Sequence, residues 1–234
     1  MSAVLAGRSV TVAFCPQPPL LVPEVAGRAA EETAAVRRAC RDAVEAMLAA
    51  RPQVVVVVGR GVPDGVRYGA GDVGDLRGYG VDREIPFSGP VRPGGRRLPL
   101  AHTLGAWLLD GAGHGGARIG VGPADLSGVL TTLSGAVGVL AMGDGSARRT
   151  LKAPGYLDPA AEPFDGAVAA ALEAGDPAAL AALDPAAEQW LLAAGVPTWR
   201  AVGAALSGRR VAGRLHAHEA PYGVGYLVAD WSVS

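Results

Sequence analysis

Gln17 stands in a loop whose composition makes it stiff. The loop, FCPQPPLLVPEVAG, covers Phe14–Gly27, and four of its residues are proline, at positions 16, 18, 19 and 23. Each proline fixes φ and removes a backbone donor, so the loop has few conformations to lose on folding. Such a loop holds a side chain in place. It is either a rigid surface connection or one wall of a ligand site.

Arg60 lies in a glycine-rich stretch, GRGVPDG, which covers Gly59–Gly65. Backbone N–H groups in such a turn can cradle an anion, and the guanidinium would add positive charge. The stretch lacks the lysine and the Ser/Thr of a nucleotide-binding phosphate loop. The pattern indicates either an anion-binding turn or a glycine-rich turn with a solvated arginine.

Ser146 follows a predicted strand, a position typical of a nucleophile, and Asp144 lies two residues before it. No histidine is nearby in sequence to act as a base, and the chain has no G-x-S-x-G elbow. The residues therefore do not support a serine hydrolase.

Two histidines near the carboxyl terminus form the candidate metal site. His216 and His218 alternate along a predicted strand, which predicts that both point to one face, and Glu219 follows directly. Two imidazoles with a carboxylate can bind a metal ion. The alternative is a solvated edge of a terminal hairpin.

A glycine motif, GAGHGG, formally matches G-x-G-x-x-G at Gly111–Gly116. A dinucleotide fingerprint follows a strand and opens a helix, whereas this motif follows a predicted helix and precedes a predicted strand. The pattern therefore indicates a helix stop and a loop, not a nucleotide site.

The elements that must position these side chains alternate between strands and helices. The run Val54–Val58, five valines between a proline and a glycine, is typical of a strand buried on both faces. A strand, a helix and this buried strand predict a βαβ unit in a parallel sheet. From Gly59 to Gly80 the chain shows no periodicity and is expected to be a long loop.

The full pattern predicts one α/β domain with a central, mostly parallel sheet flanked by helices. The predicted strands are Ser9–Phe14, Val54–Val58, Ala117–Val121, Gly135–Met142, Val211–His218 and Val224–Trp231. The predicted helices are Val25–Ala50, Leu98–Gly113, Ala124–Leu133, Phe164–Glu173, Pro177–Leu183, Pro185–Ala193 and Pro197–Leu206.

Composition excludes several classes of protein. Half of the residues are hydrophobic and the net charge is -1, which argues against disorder and against a basic nucleic-acid binder. The amino terminus lacks the pattern of a signal peptide, and no apolar run is long enough to cross a membrane. We therefore expect a cytoplasmic protein with neither nucleic-acid nor membrane partners.

Five segments together resemble one protein family. They are CPQPPLLVPEVAG, VVVVVGRG, MGDGSARRTLKAPGY, FDGAVAAALEAGD and EAPYGVGYLVADW. Their order and spacing are similar to the subunit-B-like fold of the class III extradiol ring-cleavage dioxygenases, to which the Memo-like proteins are also similar. The resemblance spans nearly the whole chain and is strongest to an alanine-rich actinobacterial branch. It implies one extradiol-dioxygenase subunit-B-like domain over residues 1–234.

The resemblance also implies that the metal site of that family is degenerate here. Active members bind non-haem Fe(II) through two histidines and a carboxylate, and use a further histidine as acid/base. The histidine ligand positions match Gln17 and Arg60, and the acid/base position matches Ala147. The carboxylate position matches Ala193, with Glu188 the nearest acid. Glutamine is a poor iron ligand, and arginine is none because it stays protonated.

The family positions predict a cleft at the carboxyl ends of the central strands. The residues expected to line it are Gln17, Arg60, Asp144, Ser146 and Tyr222. An arginine at a former cation position predicts a small anionic ligand, and no cofactor is expected. Family members of this fold often pair, which makes a homodimer the expected assembly.

Two other functions remain open at this point. The first is an active non-haem Fe(II) extradiol ring-cleavage dioxygenase whose ligands moved to His216, His218 and Glu219. The second is a structural or partner-binding protein whose cleft is filled by side chains.

Overall fold

A seven-stranded sheet forms the centre of the protein. The computed structural model describes residues 9–234. Residues 1–8, to which the signal-peptide prediction and the start of the predicted domain refer, lie outside the described residues. The sheet order is β3-β6-β2-β7-β1-β9-β8. The strands of this sheet are β1 (Val10–Cys15), β2 (Val54–Val58), β3 (Arg67–Tyr68), β6 (Ala117–Val121), β7 (Val137–Met142), β8 (Val211–Glu219) and β9 (Tyr226–Val233).

The four central strands of this sheet run parallel. The strand β7 pairs in parallel with both β1 and β2, and β2 pairs in parallel with β6. The edges are antiparallel, with β9 against β1 and β8 against β9 on one side and β3 against β6 on the other. The prediction of an α/β domain with a mostly parallel sheet is confirmed. Because parallel strands present their carboxyl ends at one edge, the loops after β1, β2 and β7 meet there.

Helices cover both faces of the sheet. They are α1 (Pro23–Ala26), α2 (Ala34–Ala49), α3 (Leu100–Gly111), α4 (Leu126–Thr132), α5 (Ala161–Ala174), α6 (Pro177–Ala181), α7 (Ala187–Trp190) and α8 (Val196–Ala205). Side chains of α2 and α3 pack on one face, and side chains of α4, α5, α6 and α8 pack on the other. None of these helices is long and apolar enough to span a bilayer.

The valine run of β2 explains why the sheet is buried on both sides. Val55 and Val57 belong to the core under α2 and α3, while Val54, Val56 and Val58 belong to the opposite core. Successive side chains of a strand point to opposite faces, so an unbroken apolar run serves two cores at once. The prediction for Val54–Val58 is confirmed.

The predicted helix Val25–Ala50 is wrong in its first third. The short helix α1 ends at Ala26 and is capped by Gly27, which adopts φ 55°, and a 3-10 segment fills Gly27–Thr33 before α2 starts at Ala34. A positive φ is costly for most residues but not for glycine, so the chain turns there. The helical periodicity of Val36, Cys40 and Val44 is correct, since all three are buried.

The predicted loop Gly59–Gly80 contains more structure than its sequence indicates. After β3 the chain forms a small separate sheet, in which β4 (Val73–Asp75) pairs with β5 (Glu84–Pro86). Asp72 holds this region together, because its carboxylate accepts hydrogen bonds from the amides of Gly69 and Arg96. The bond to Arg96 joins residues far apart in sequence, which a periodicity search does not detect.

Candidate functional site

Three of the predicted site residues lie side by side at the carboxyl edge of the sheet. Gln17 and Asp144 each come two residues after the paired residues Cys15 and Met142, and Arg60 comes two residues after Val58. Since β7 lies between β1 and β2, Asp144 lies between Gln17 and Arg60. The loops that carry these three residues are therefore neighbours at this edge.

Asp144 is held in place by main-chain contacts. Its Oδ1 accepts the backbone N–H of Gln17 at 2.7 Å, and its own carbonyl accepts the N–H of Gly195 at 2.7 Å. Gly143 donates to the carbonyl of Cys15 at 2.9 Å, and a side chain at Gly143 would collide with Gly195. The turn after β7 is thus locked between the end of β1 and the loop before α8.

The carboxyl group of Asp144 has a pKa near neutrality. Burial raises the pKa of Asp144 to about 7, although the N–H of Gln17 and the charge of Arg60 both act to lower it. Burial disfavours the charged form of a carboxylate, and here it outweighs both opposing effects. A carboxyl group with a pKa near neutrality can accept or donate a proton at physiological pH.

Gln17 presents an unused acceptor. The prolines on either side of it, Pro16 and Pro18, are buried, and the carbonyl of Pro18 accepts the N–H of Leu21 at 3.0 Å. The side-chain oxygen Oε1 of Gln17 is buried and has no hydrogen-bond partner in residues 9–234. Buried polar atoms without partners are rare in folded proteins, so this one calls for an explanation.

Arg60 forms an ion pair with Glu188 at the carboxyl edge of the sheet. Its Nε lies 2.9 Å from Oε1 of Glu188, and its side chain is 46% exposed. Its two terminal nitrogens have no partner among the described residues. Arg60 lines a surface depression of about 490 Å³ together with Glu188, Gln189 and Leu192. A guanidinium presents several donors in a fixed fork, so the terminal nitrogens remain able to bind an anion.

Ser146 lies in the interior, away from this depression. It is fully buried, and its hydroxyl donates to the carbonyl of Leu191 at 2.9 Å and accepts from the N–H of Arg148 at 3.1 Å. Its own N–H donates to Oδ1 of Asp165 at 2.8 Å. Ser146 therefore fastens the turn after β7 to neighbouring segments, and its hydroxyl already has partners within the protein.

Tyr222 lines a different depression. That depression, of about 580 Å³, is lined by Thr150, Leu151, Lys152, Pro221, Tyr222 and Gly223. Burial and the Glu32 carboxylate raise the pKa of Tyr222. Tyr226 is buried, and its pKa is raised by burial, by Asp144 and by Tyr222. Tyr222 therefore belongs to the same edge but not to the Arg60 depression.

The prediction that His216 and His218 share a face is wrong. The strand β8 has a bulge between Leu215 and Ala217, so one extra residue shifts the alternation. His216 contacts Oδ1 of Asp230 at 2.6 Å, and Asp230 pairs with Ala13, which packs in the core under α2 and α3. His218 pairs with Leu227, which belongs to the opposite core. A bulge re-aims side chains in this way.

The predicted metal triad is therefore not assembled. His218 is exposed and accepts a hydrogen bond from Nη1 of Arg149 at 3.3 Å, while Glu219 is exposed at the end of β8. Within residues 9–234, no three His, Cys, Asp or Glu side chains lie close enough together to hold a metal ion.

The family positions themselves do not suit Fe(II). Arg60 places a guanidinium where a ligand is needed, and Glu188, the nearest acid, is already paired with it. Ala147 and Ala193 have no ligand atoms in their side chains. A permanent positive charge at close range repels a divalent cation, so the residues present do not fit the metal that the resemblance implies.

Sequence reasoning missed two residues that matter to this site. The sequence indicates Glu188 only as the acid nearest to the carboxylate position of the family that the chain resembles, and it gives no signal for Tyr226. No pattern in the sequence links α7 to the end of β2, because the contact is made only when the chain folds.

No protein-family model matches the chain, and the search of curated proteins gave no match either.

Proposed function

We propose that this protein binds a small anionic molecule at the carboxyl edge of β2, β7 and β1, through Arg60. We further propose that it has the extradiol-dioxygenase subunit-B-like fold and that its metal site has been replaced by the Arg60–Glu188 ion pair. On this proposal the protein does not catalyse iron-dependent ring cleavage.

One observation carries the proposal: the Arg60 guanidinium is half-exposed and lines an open depression. The closest contact of Glu188 is with Nε, and the Arg60 side chain is 46% exposed, so its guanidinium remains accessible to a carboxylate or phosphate. Such bonds between a guanidinium and an anion are charge-assisted and can be bidentate. The depression is also large enough for a small molecule.

The proposed fold is supported by the placement of the segments that carry the resemblance. The proline loop, the glycine–arginine turn and the turn after β7 lie at one edge in adjacent strands. In the family that the chain resembles, the matching positions hold metal ligands and an acid/base. Here Gln17 and Arg60 replace the histidines, and the donor set favours an anion over a cation.

Thermal unfolding in the presence of anions tests this proposal. Phosphate, acetate and propionate are titrated at constant ionic strength against chloride, in the wild type and in Arg60→Ala. We expect a saturable rise in Tm for the wild type and none for Arg60→Ala, because a ligand that binds only the folded state stabilises it. Phosphate also stabilises proteins non-specifically, so the informative quantity is the difference between the two proteins.

A matched control is Arg83→Ala. Arg83 is 43% exposed and pairs with Glu24 at 2.6 Å, so replacing it removes a similar surface ion pair and leaves the Arg60 depression unchanged. The anion response should persist in this variant. An anion response that is absent in the wild type, or unchanged in Arg60→Ala, contradicts the proposal.

A further inference from the structure

Two acceptors at the site are not used by the proposed anion contact. The Oε1 atom of Gln17 is buried without a partner. The carboxylate of Asp144 receives a single hydrogen bond within residues 9–234, from the backbone N–H of Gln17. Both groups can accept a hydrogen bond, and neither can be satisfied by the anionic group that pairs with Arg60.

The three residues form a row. Asp144 follows the middle strand, and Gln17 and Arg60 follow its two neighbours. Adjacent strands are about 4.8 Å apart, so the backbones at Gln17 and Arg60 are about 10 Å apart. The depression at Arg60 is lined by Glu188, Gln189 and Leu192 and not by Gln17, so a ligand seated there reaches Oε1 of Gln17 when the Gln17 side chain turns toward it.

We propose that the ligand is a small hydroxy acid, whose carboxylate pairs with Arg60 and whose hydroxyl donates to Oε1 of Gln17 beside Asp144. This inference rests on the proposed function and deepens it. The amide torsion of glutamine is broad, so the amide can turn its oxygen toward a donor, while the prolines hold its backbone still.

A hydroxyl fits this row better than an ammonium group does. Arg60 already acts electrostatically on Asp144 and would repel a second cation placed beside it. Asp144 is also only partly ionised at neutral pH, which weakens its attraction for an ammonium group. A neutral hydroxyl satisfies the buried acceptor without either penalty.

Three nearly isosteric probes separate these chemistries. Lactate, propionate and alanine carry a hydroxyl, a hydrogen and an ammonium group on the same carbon. Titration calorimetry at neutral pH gives a Kd for each. We expect lactate to bind at least about fivefold more tightly than propionate, because the analogue without the hydroxyl leaves a buried acceptor unpaired. Alanine should bind more weakly than lactate.

Variants assign the preference to Gln17. In Gln17→Leu the ratio of lactate to propionate affinity should fall to about one, whereas Arg60→Ala should lose both ligands. The matched control is Gln53→Leu, at the amino end of β2, which should keep the preference. Circular dichroism and Tm confirm that Gln17→Leu is folded before its affinities are compared.

The outcomes distinguish this inference from the function on which it rests. Equal Arg60-dependent binding of lactate and propionate overturns the hydroxy acid and leaves the anion site standing. Tighter binding of alanine than of lactate also overturns it. A preference for lactate that survives Gln17→Leu shows that Gln17 is not the recognising residue. If none of the probes, phosphate included, binds in an Arg60-dependent way, the proposed function itself fails.

Discussion

Two aspartates near the end of β7 differ in how many hydrogen bonds they accept from the protein. Asp165, on α5, accepts the N–H of Ser146 at 2.8 Å and a bond from Nη1 of Arg149 at 3.1 Å. Asp144 accepts a single backbone N–H, from Gln17, and has Arg60 nearby. Burial raises the pKa of both carboxyl groups.

The comparison teaches that burial alone does not identify a functional carboxylate. Asp165 has a full set of partners from the protein, including an arginine whose side chain is 14% exposed, and it joins α5 to the turn after β7. Asp144 lies between two side chains with unused polar atoms. The carboxylate with spare bonding capacity is the one that a ligand can contact, and the following experiments test that distinction.

The largest effect is expected for Asp165→Ala. Removing this carboxylate leaves Arg149 and the N–H of Ser146 without their partner in the interior, which should lower the free energy of unfolding by about 3–5 kcal/mol. Urea denaturation measures the loss. Glu162→Ala is the control, because Glu162 is 80% exposed at 3.4 Å from Arg149, and its removal should cost less than about 1 kcal/mol. Similar losses in both variants would contradict a structural role specific to Asp165.

The second effect concerns Asp144→Asn and its dependence on pH. The folded-state pKa of Asp144 is raised from 3.8 to about 7, so the folded protein holds a proton that the unfolded chain releases. Stability from this group is therefore present at low pH and is lost as pH rises through about 7. The asparagine variant should gain roughly 2 kcal/mol relative to wild type between pH 5 and pH 8. Parallel curves of Tm against pH for the two proteins would show that Asp144 has an ordinary pKa.

A smaller effect is expected for Glu188→Gln. This change removes a negative charge beside Arg60 but keeps the side chain's shape, so an anion should bind several-fold more tightly. The change in unfolding free energy should stay below about 1 kcal/mol, since the pair is partly exposed. Titration with phosphate measures the affinity. Weaker binding would mean that Glu188 positions Arg60 for the anion instead of competing with it.

The smallest effects separate the two histidines of β8. The side chain of His216 is 7% exposed against Asp230, and its replacement by alanine should cost about 1 kcal/mol. His218 is exposed, and the same change there should cost less than about 0.5 kcal/mol. Urea denaturation of both variants gives the comparison. If Fe(II) raised the Tm of the wild type and neither variant responded, the relocated metal site would be restored as a hypothesis.

The candidate site was predictable only where local sequence controls it. Gln17, Arg60 and Asp144 follow strands whose apolar runs and flanking prolines or glycines are visible in the sequence, so their common edge could be anticipated. The separation of His216 and His218 onto opposite faces of the sheet could not be anticipated, because the bulge arises from how β8 fits β9. Ser146 lies in the same turn as Asp144, yet it is buried, where it hydrogen-bonds to Leu191 and Asp165.

The sequence by itself determined the parallel sheet and the rigid loop around Gln17, because periodicity, β-branched runs and proline act over a few neighbouring residues. Only the tertiary structure decided which polar groups have partners. Glu188 reaches Arg60 from α7, and Gly195 holds Asp144 from the loop before α8. The burial that raises the pKa of Asp144 also comes from several segments that are far apart in sequence. These contacts depend on packing between parts of the chain far apart in sequence, which no local pattern encodes.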